Sequence, residues 1–133
     1  MSSNDDRIAQ VERHFGVRFP PDYRDFLGST GSLSRFVPPA DDFLMIVALD
    51  ELVGVNEAGE FQERFPGAVV IGGDGSRELL AYDFRQDPPP LVTLDVSAED
   101  WSSAIHQAAS LSALLEQFPR SGWKWGDEES STS

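Results

Sequence analysis

The segment Ile71-Gly72-Gly73-Asp74-Gly75-Ser76 is the part of this sequence most suggestive of chemistry. A glycine-rich loop cradles phosphate when it leads from a strand into a helix, so that its amides and the helix dipole face the anion. Here Arg77 to Asp83 alternate like a strand, and the chain's single lysine, Lys124, lies far downstream. The segment therefore predicts a hairpin turn, because its residues tolerate positive φ. A calcium loop needs several more spaced carboxylates than Asp74 supplies. His14 and His106 are the only histidines. His14 falls near the end of a predicted helix, where the C-terminal dipole favours it, and His106 has no acidic neighbour at a telling spacing. No nucleophile-elbow motif accompanies either. Cysteine is absent, which excludes a disulfide framework, a thiolate zinc site and a cysteine nucleophile. No catalytic residue, metal site or cofactor is expected. A small hydrolase using Asp74, Asp83 and a histidine is the third of three functional readings.

The elements that must position these residues follow from periodicity. Asn4 to Phe15 predicts a short amphipathic helix with Ile8, Val11 and Phe15 on one face, and Gly16 supplies a left-handed stop. Pro21 suits the first position of a second helix, whose inner face is Tyr23, Phe26 and Leu27 and which Gly28 and Gly31 end. The apolar run Phe43 to Leu49 predicts a buried strand. Asp50 then caps a short helical stretch carrying Leu52, Val53 and Val55, and the polar stretch Asn56 to Arg64 reads as loop or frayed helix. Ala68 to Gly72 and Glu78 to Asp83 form the hairpin, and Leu91 to Asp95 is a further strand. The last helix covers about Gln107 to Phe118, with Leu111, Leu114, Leu115 and Phe118 on one face. Two helices, a run of strands and a closing helix predict an α+β fold with a central, mostly antiparallel sheet. The 133 residues suit one domain over residues 1–125, followed by an acidic, Ser-rich tail, 126–133, expected to be disordered.

Charge narrows the partners. The chain carries ten basic and 23 acidic residues, a net charge of −13. Nucleic-acid phosphates and anionic membrane surfaces would repel it. The acidity is not even. Residues 1–35 hold five acids against five arginines, whereas residues 36–100 hold 14 acids against three arginines. Solubility alone does not require that asymmetry, and a face for a basic partner does. Its expected carboxylates are Asp41 and Asp42, ahead of the first strand, Glu57, Glu60 and Glu63 in the polar stretch, and Asp74 and Glu78 at the hairpin tip. Trp123 and Trp125 either pack back onto the domain or anchor an interface. The polar, acidic N-terminus is unlike a signal peptide, and Phe43 to Leu49 is far short of the roughly 20 residues of a membrane helix. A cytoplasmic location is expected.

Three motifs occur in order along most of the chain. Glu12 on the first helix precedes Phe19-Pro20-Pro21-Asp22-Tyr23; Ile71-Gly72-Gly73-Asp74-Gly75 leads into a strand ending Tyr82-Asp83; and a small-residue, Ser-led helix runs from Ala108 to Phe118. In this order they resemble the SUKH superfamily, which includes bacterial toxin-immunity proteins and fungal cell-wall regulators. The resemblance implies a non-enzymatic binding domain, and in bacteria a protein that neutralises a cognate toxin, often a nuclease or deaminase with a basic cleft. A regulatory scaffold for an endogenous partner is the alternative. On this reading Glu12, Tyr23, Gly72, Gly75 and Asp83 are structural, with the Tyr23 hydroxyl hydrogen-bonded and Gly75 at positive φ. The oligomeric state is left open.

Overall fold

The computed structural model describes residues 3–37, 42–75 and 77–124. Helix α1 (Ser3–Phe15) ends at Gly16, whose φ of 71° is the left-handed stop its sequence suggested. Helix α2 (Pro21–Ser29) starts with proline at its first position and runs through Gly28, ending before Gly31 at φ 87°. The sheet then builds in chain order. Strands β1 (Leu33–Val37), β2 (Asp42–Ile46), β3 (Ala68–Gly73), β4 (Glu78–Asp83), β5 (Leu91–Asp95) and β6 (Ile105–Ala108) lie side by side in the order β1-β2-β3-β4-β5-β6, and all five pairings are antiparallel. Helices α3 (Leu49–Ala58) and α4 (Phe61–Arg64) interrupt the meander between β2 and β3, and α5 (Leu111–Ser121) closes it. The fold is α+β.

Several boundaries differ from the sequence reading. The strand Leu33–Val37 was not anticipated. The apolar run from Phe43 stops being strand at Ile46, and Leu49 already belongs to α3, so Asp42 opens a strand and does not precede one. The stretch expected as loop or frayed helix is helical on both sides of Gly59 and Glu60. Gln107 lies in β6, because the final helix begins only at Leu111, where the Ser110 hydroxyl accepts the Ala113 amide at 3.1 Å. Pro119 lies inside that helix.

The sheet is covered on both faces, so its strands alternate between two cores. Leu44, Ile46, Leu80, Tyr82 and Leu91 meet α1, α2 and α5 through Ile8, Phe19, Tyr23, Leu114 and Phe118. Val70, Ala81, Val92 and Leu94 face Phe61 and Phe65 from the α4 side. Each of these large apolar side chains contributes about 1.5–3 kcal/mol by leaving water. Trp123 is buried against Phe118, ring centroids 4.9 Å apart, and its indole N–H donates to the Phe43 carbonyl at 3.1 Å. It is a core residue and no exposed anchor, while Trp125 lies outside the described residues.

Two glycines set how β2, β3 and β4 meet. A Cβ on Gly72 would stand 1.8 Å from the Met45 carbonyl oxygen on β2, and Gly75 turns the hairpin at φ 79° with Phe43 beneath it. Gly72→Ala must therefore push two backbones apart, while Gly75→Val meets strain and a movable ring. Urea denaturation should show Gly75→Val destabilised by at least about 1 kcal/mol and Gly72→Ala by more. Wild-type stability in either variant would contradict this packing.

Candidate partner-binding surface

β2 pairs with β3 only through Met45 and Ile46 opposite Gly73 and Gly72, with one more bond from the Val47 amide to the Ile71 carbonyl. Among the described residues, no strand lies beside the lower edge of β3 at Ala68 and Val70 on the β2 side. Side chains take the strand's place. The fully buried Asn56 accepts the Val70 amide at 2.9 Å and donates to the Val70 carbonyl at 2.9 Å and the Leu52 carbonyl at 2.8 Å. Gln62 donates to Asn56 Oδ1 and to the Ala68 carbonyl, both at 2.9 Å. This network fastens α3 and α4 to the sheet edge and fixes where the acids of that segment point.

Those acids point outward. Glu57, Glu60 and Glu63, with Asn56 and Gln62, line a hollow of about 290 Å³. Glu57 lies 3.2 Å from His14 Nε2, which joins this corner to α1, as does the ion pair of Arg7 with Asp50. Glu60 occupies a left-handed conformation, φ 55°, between the two helices. Neither Glu60 nor Glu63 has a counter-ion among the described residues. Arg64, the cation next in sequence, is engaged elsewhere. It stacks on Phe61 and Phe65 and donates to the Val96, Ala98 and Gly59 carbonyls.

The hairpin-tip acids behave differently. Asp74 Oδ1 accepts the Arg77 and Glu78 amides at 3.0 Å each, so Asp74 shapes the turn. Glu78 is half-buried and stands opposite Asp95 in the β4–β5 ladder. Burial, then Asp95 and Asp74, push its pKa up despite the opposing pull of Arg77. Five of the seven expected carboxylates have described side chains, and they fall at two places along the chain. Glu57, Glu60 and Glu63 gather before the start of β3, Asp74 and Glu78 after its end; Asp42 opens β2, and Asp41 lies outside the described residues.

The five residues read as structural lie at packing positions. Glu12 accepts the Phe19 amide at 2.7 Å and ties the α1–α2 connection. Tyr23 is fully buried with its ring 5.3 Å from that of Tyr82, but neither hydroxyl has a hydrogen-bond partner among the described residues. That corrects the expected bond to Tyr23. The phenols are held for their rings, at a desolvation cost of about 1–3 kcal/mol each, and burial raises both pKa values. Asp83 is buried at the end of β4. Burial opposes its charge, yet bonds from the Arg85 and Gln86 side chains and the Arg85 amide outweigh that and lower its pKa. Arg85 in turn stacks 3.6 Å over Trp101. Asp74 and Asp83 stand at opposite ends of the β3–β4 hairpin, and His14 is engaged with Glu57. Asp74 and Asp83 are therefore not brought together at one place.

Comparison with known proteins agrees with this architecture. The sequence model of the SMI1 / KNR4 family (SUKH-1) matches residues 3–117. The chain belongs to that family. It is also 30% identical over 105 residues to YnaB, an uncharacterized protein of Bacillus subtilis (strain 168), an alignment covering 71% of this chain and 69% of that protein. In this SUKH-1 chain, the segment carrying Phe118, Trp123 and Lys124 runs past the matched region. It is held there by Gln107, which accepts the Lys124 amide and donates to the Lys124 carbonyl, both at 2.8 Å.

Sequence reasoning missed Asn56, Gln62 and Gln107 as fold-determining residues. Asn56 carried a usable signal, since it falls four residues after Leu52 on the apolar stripe of α3. Asn56→Leu should cost at least about 3 kcal/mol, because it strands the Val70 amide and carbonyl, whereas Glu60→Ala should stay within about 0.5 kcal/mol. Urea unfolding of both variants distinguishes the roles.

The two perturbed carboxylates predict opposite pH effects. The Asp83 pKa is lowered, so its contribution is complete above the ordinary carboxylate range and is lost as pH falls through the lowered pKa. Asp83→Asn should therefore be destabilised at neutral pH, with the gap to wild type closing in acid. The Glu78 pKa is raised, so its ionisation penalty is absent in acid and grows as pH rises through that pKa. Glu78→Gln should match or exceed wild-type stability at neutral pH and lose that advantage in acid. Stability curves against pH for both variants check the signs.

Proposed function

We propose that this SUKH-1 protein is a non-enzymatic immunity protein that binds a cognate bacterial toxin domain and blocks a basic active-site cleft. The observation that carries the reading is the α3–α4 corner. Two outward carboxylates, Glu60 and Glu63, have no counter-ion among the described residues, although neighbouring Asp50 pairs with Arg7 and Glu57 lies against His14, both on α1. Protein stability does not call for such a group, since exposed charges contribute little to it. A basic cleft does, because complementary fields speed encounter and reject wrong partners. The family supports a protein-binding role, and the net charge of −13 argues against a nucleic-acid target.

The test is co-expression with the toxin domains encoded beside this gene in its own genome. One of them should arrest growth alone and be silenced by this chain, with the two proteins recovered as a one-to-one complex. E60K/E63K should fold normally and associate about tenfold more slowly at low salt, with a flatter salt dependence. Failure to protect against any of those toxins would remove the immunity reading. Unchanged association of E60K/E63K would move the interface off the α3–α4 corner.

A further inference from the structure

Arginine placement runs against the charge count. Acids outnumber bases 23 to ten, yet Arg13 and Arg18 have no carboxylate within ion-pair distance among the described residues. Arg24 is only loosely matched. Its buried Nε makes no hydrogen bond among the described residues and lies 3.6 Å from Glu12 Oε2, an oxygen already taken by the Phe19 amide at 2.7 Å. Arg18 and Arg24 both line a groove of about 330 Å³ between the α1–α2 connection and the Pro88-Pro89 turn. Phe19, Pro20, Pro21 and Pro89 supply its apolar wall, and Asp87 is its one carboxylate. Arg18 also lines an adjoining hollow with Arg13. His14, next in sequence to Arg13, touches Glu57 of the acidic corner, so α1 carries residues of both surfaces.

We propose that this groove takes a segment of the partner protein in which a carboxylate adjoins an apolar side chain, making it a second attachment point beside the acidic corner. The walls reward removal of an apolar group from water, and the guanidiniums offer planar, forked donors that match a carboxylate. Proline and the buried Phe19 are already fixed, so little ordering entropy opposes docking. A phosphate would leave the apolar wall unused, and a nucleic acid would meet the repulsion of the whole chain. A partner bearing a basic patch next to an acidic-apolar segment can dock in one orientation only. The inference rests on the proposed function in taking the occupant from the partner protein.

The groove can be tested without the partner. N-acetyl-L-phenylalanine, which carries a carboxylate beside an aromatic ring, should give saturable NMR shifts of the Arg18 and Arg24 Nε–H signals and of the Phe19 amide. N-acetyl-L-phenylalanine amide and inorganic phosphate should each bind about tenfold more weakly or worse. R18Q, a change at an exposed and unpaired side chain, should keep the fold and weaken the carboxylate probe about fivefold. E60K/E63K should bind the probe as wild type does, so the outcome does not depend on the toxin reading. In the toxin complex R18Q should speed dissociation about fivefold. An absent or non-saturable shift, an equal response to the amide or to phosphate, or an R18Q variant that binds the probe normally would overturn the groove. Unchanged dissociation of the R18Q complex would overturn its role as a second attachment point.

Discussion

The structure turns on the pairing of one side-chain amide with one backbone residue. β2 leaves β3 after two paired residues and the Val47 bond to Ile71, and the chain needs that departure to make α3 and α4. An edge abandoned in a buried place must be satisfied or the sheet loses it. Asn56 offers a carbonyl and an amine in the spacing of a peptide group, and Val70 receives both. Gln62 extends the repair to Ala68. Glutamate or aspartate cannot substitute, because each lacks the donor when ionised. The helices, the second core under Phe61 and Phe65, and the outward acids all hang from that exchange.

The same logic explains how so acidic a chain folds. Two of its arginines serve the architecture and not surface ion pairs. Arg64 reaches three carbonyls while lying on two phenyl rings, and Arg85 joins buried Asp83 to Trp101. Guanidinium suits both tasks because it is flat, forked and weakly hydrated. With these arginines fixed in the architecture, the acids around them are left for solvent or for a partner.

The hairpin, the strand Leu91–Asp95, the first two helices and the α+β class were legible because local rules decide them: glycine at positive φ, proline at a helix start, alternation along strands. Leu33–Val37 was hidden because its residues carry no clear alternation and are defined by their pairing with β2. Gln107 was mistaken for helix because its role, gripping Lys124 from β6, is set by a contact 17 residues away. The acidic segment was legible as composition, yet not its division into an outward corner and a turn-building tip. Asp74 and Glu60 look alike in sequence, and only backbone geometry makes one a turn acceptor and the other a solvent-facing charge.

The long-range ties bear on how the molecule is made. Trp123 bonds a carbonyl 80 residues earlier, the Ser112 amide bonds Asp22 at a separation of 90, and Gln107 holds Lys124. A ribosome delivers the early helices and the hairpin long before any of these partners emerges. Until Lys124 has cleared the exit tunnel, the groove between α2 and the sheet has no α5 to fill it, and the nascent chain carries exposed Tyr23, Phe26 and Leu80. Closure therefore comes late and all together, so the waiting chain passes through an interval in which sticky surface must be shielded by chaperones or by the speed of translation itself.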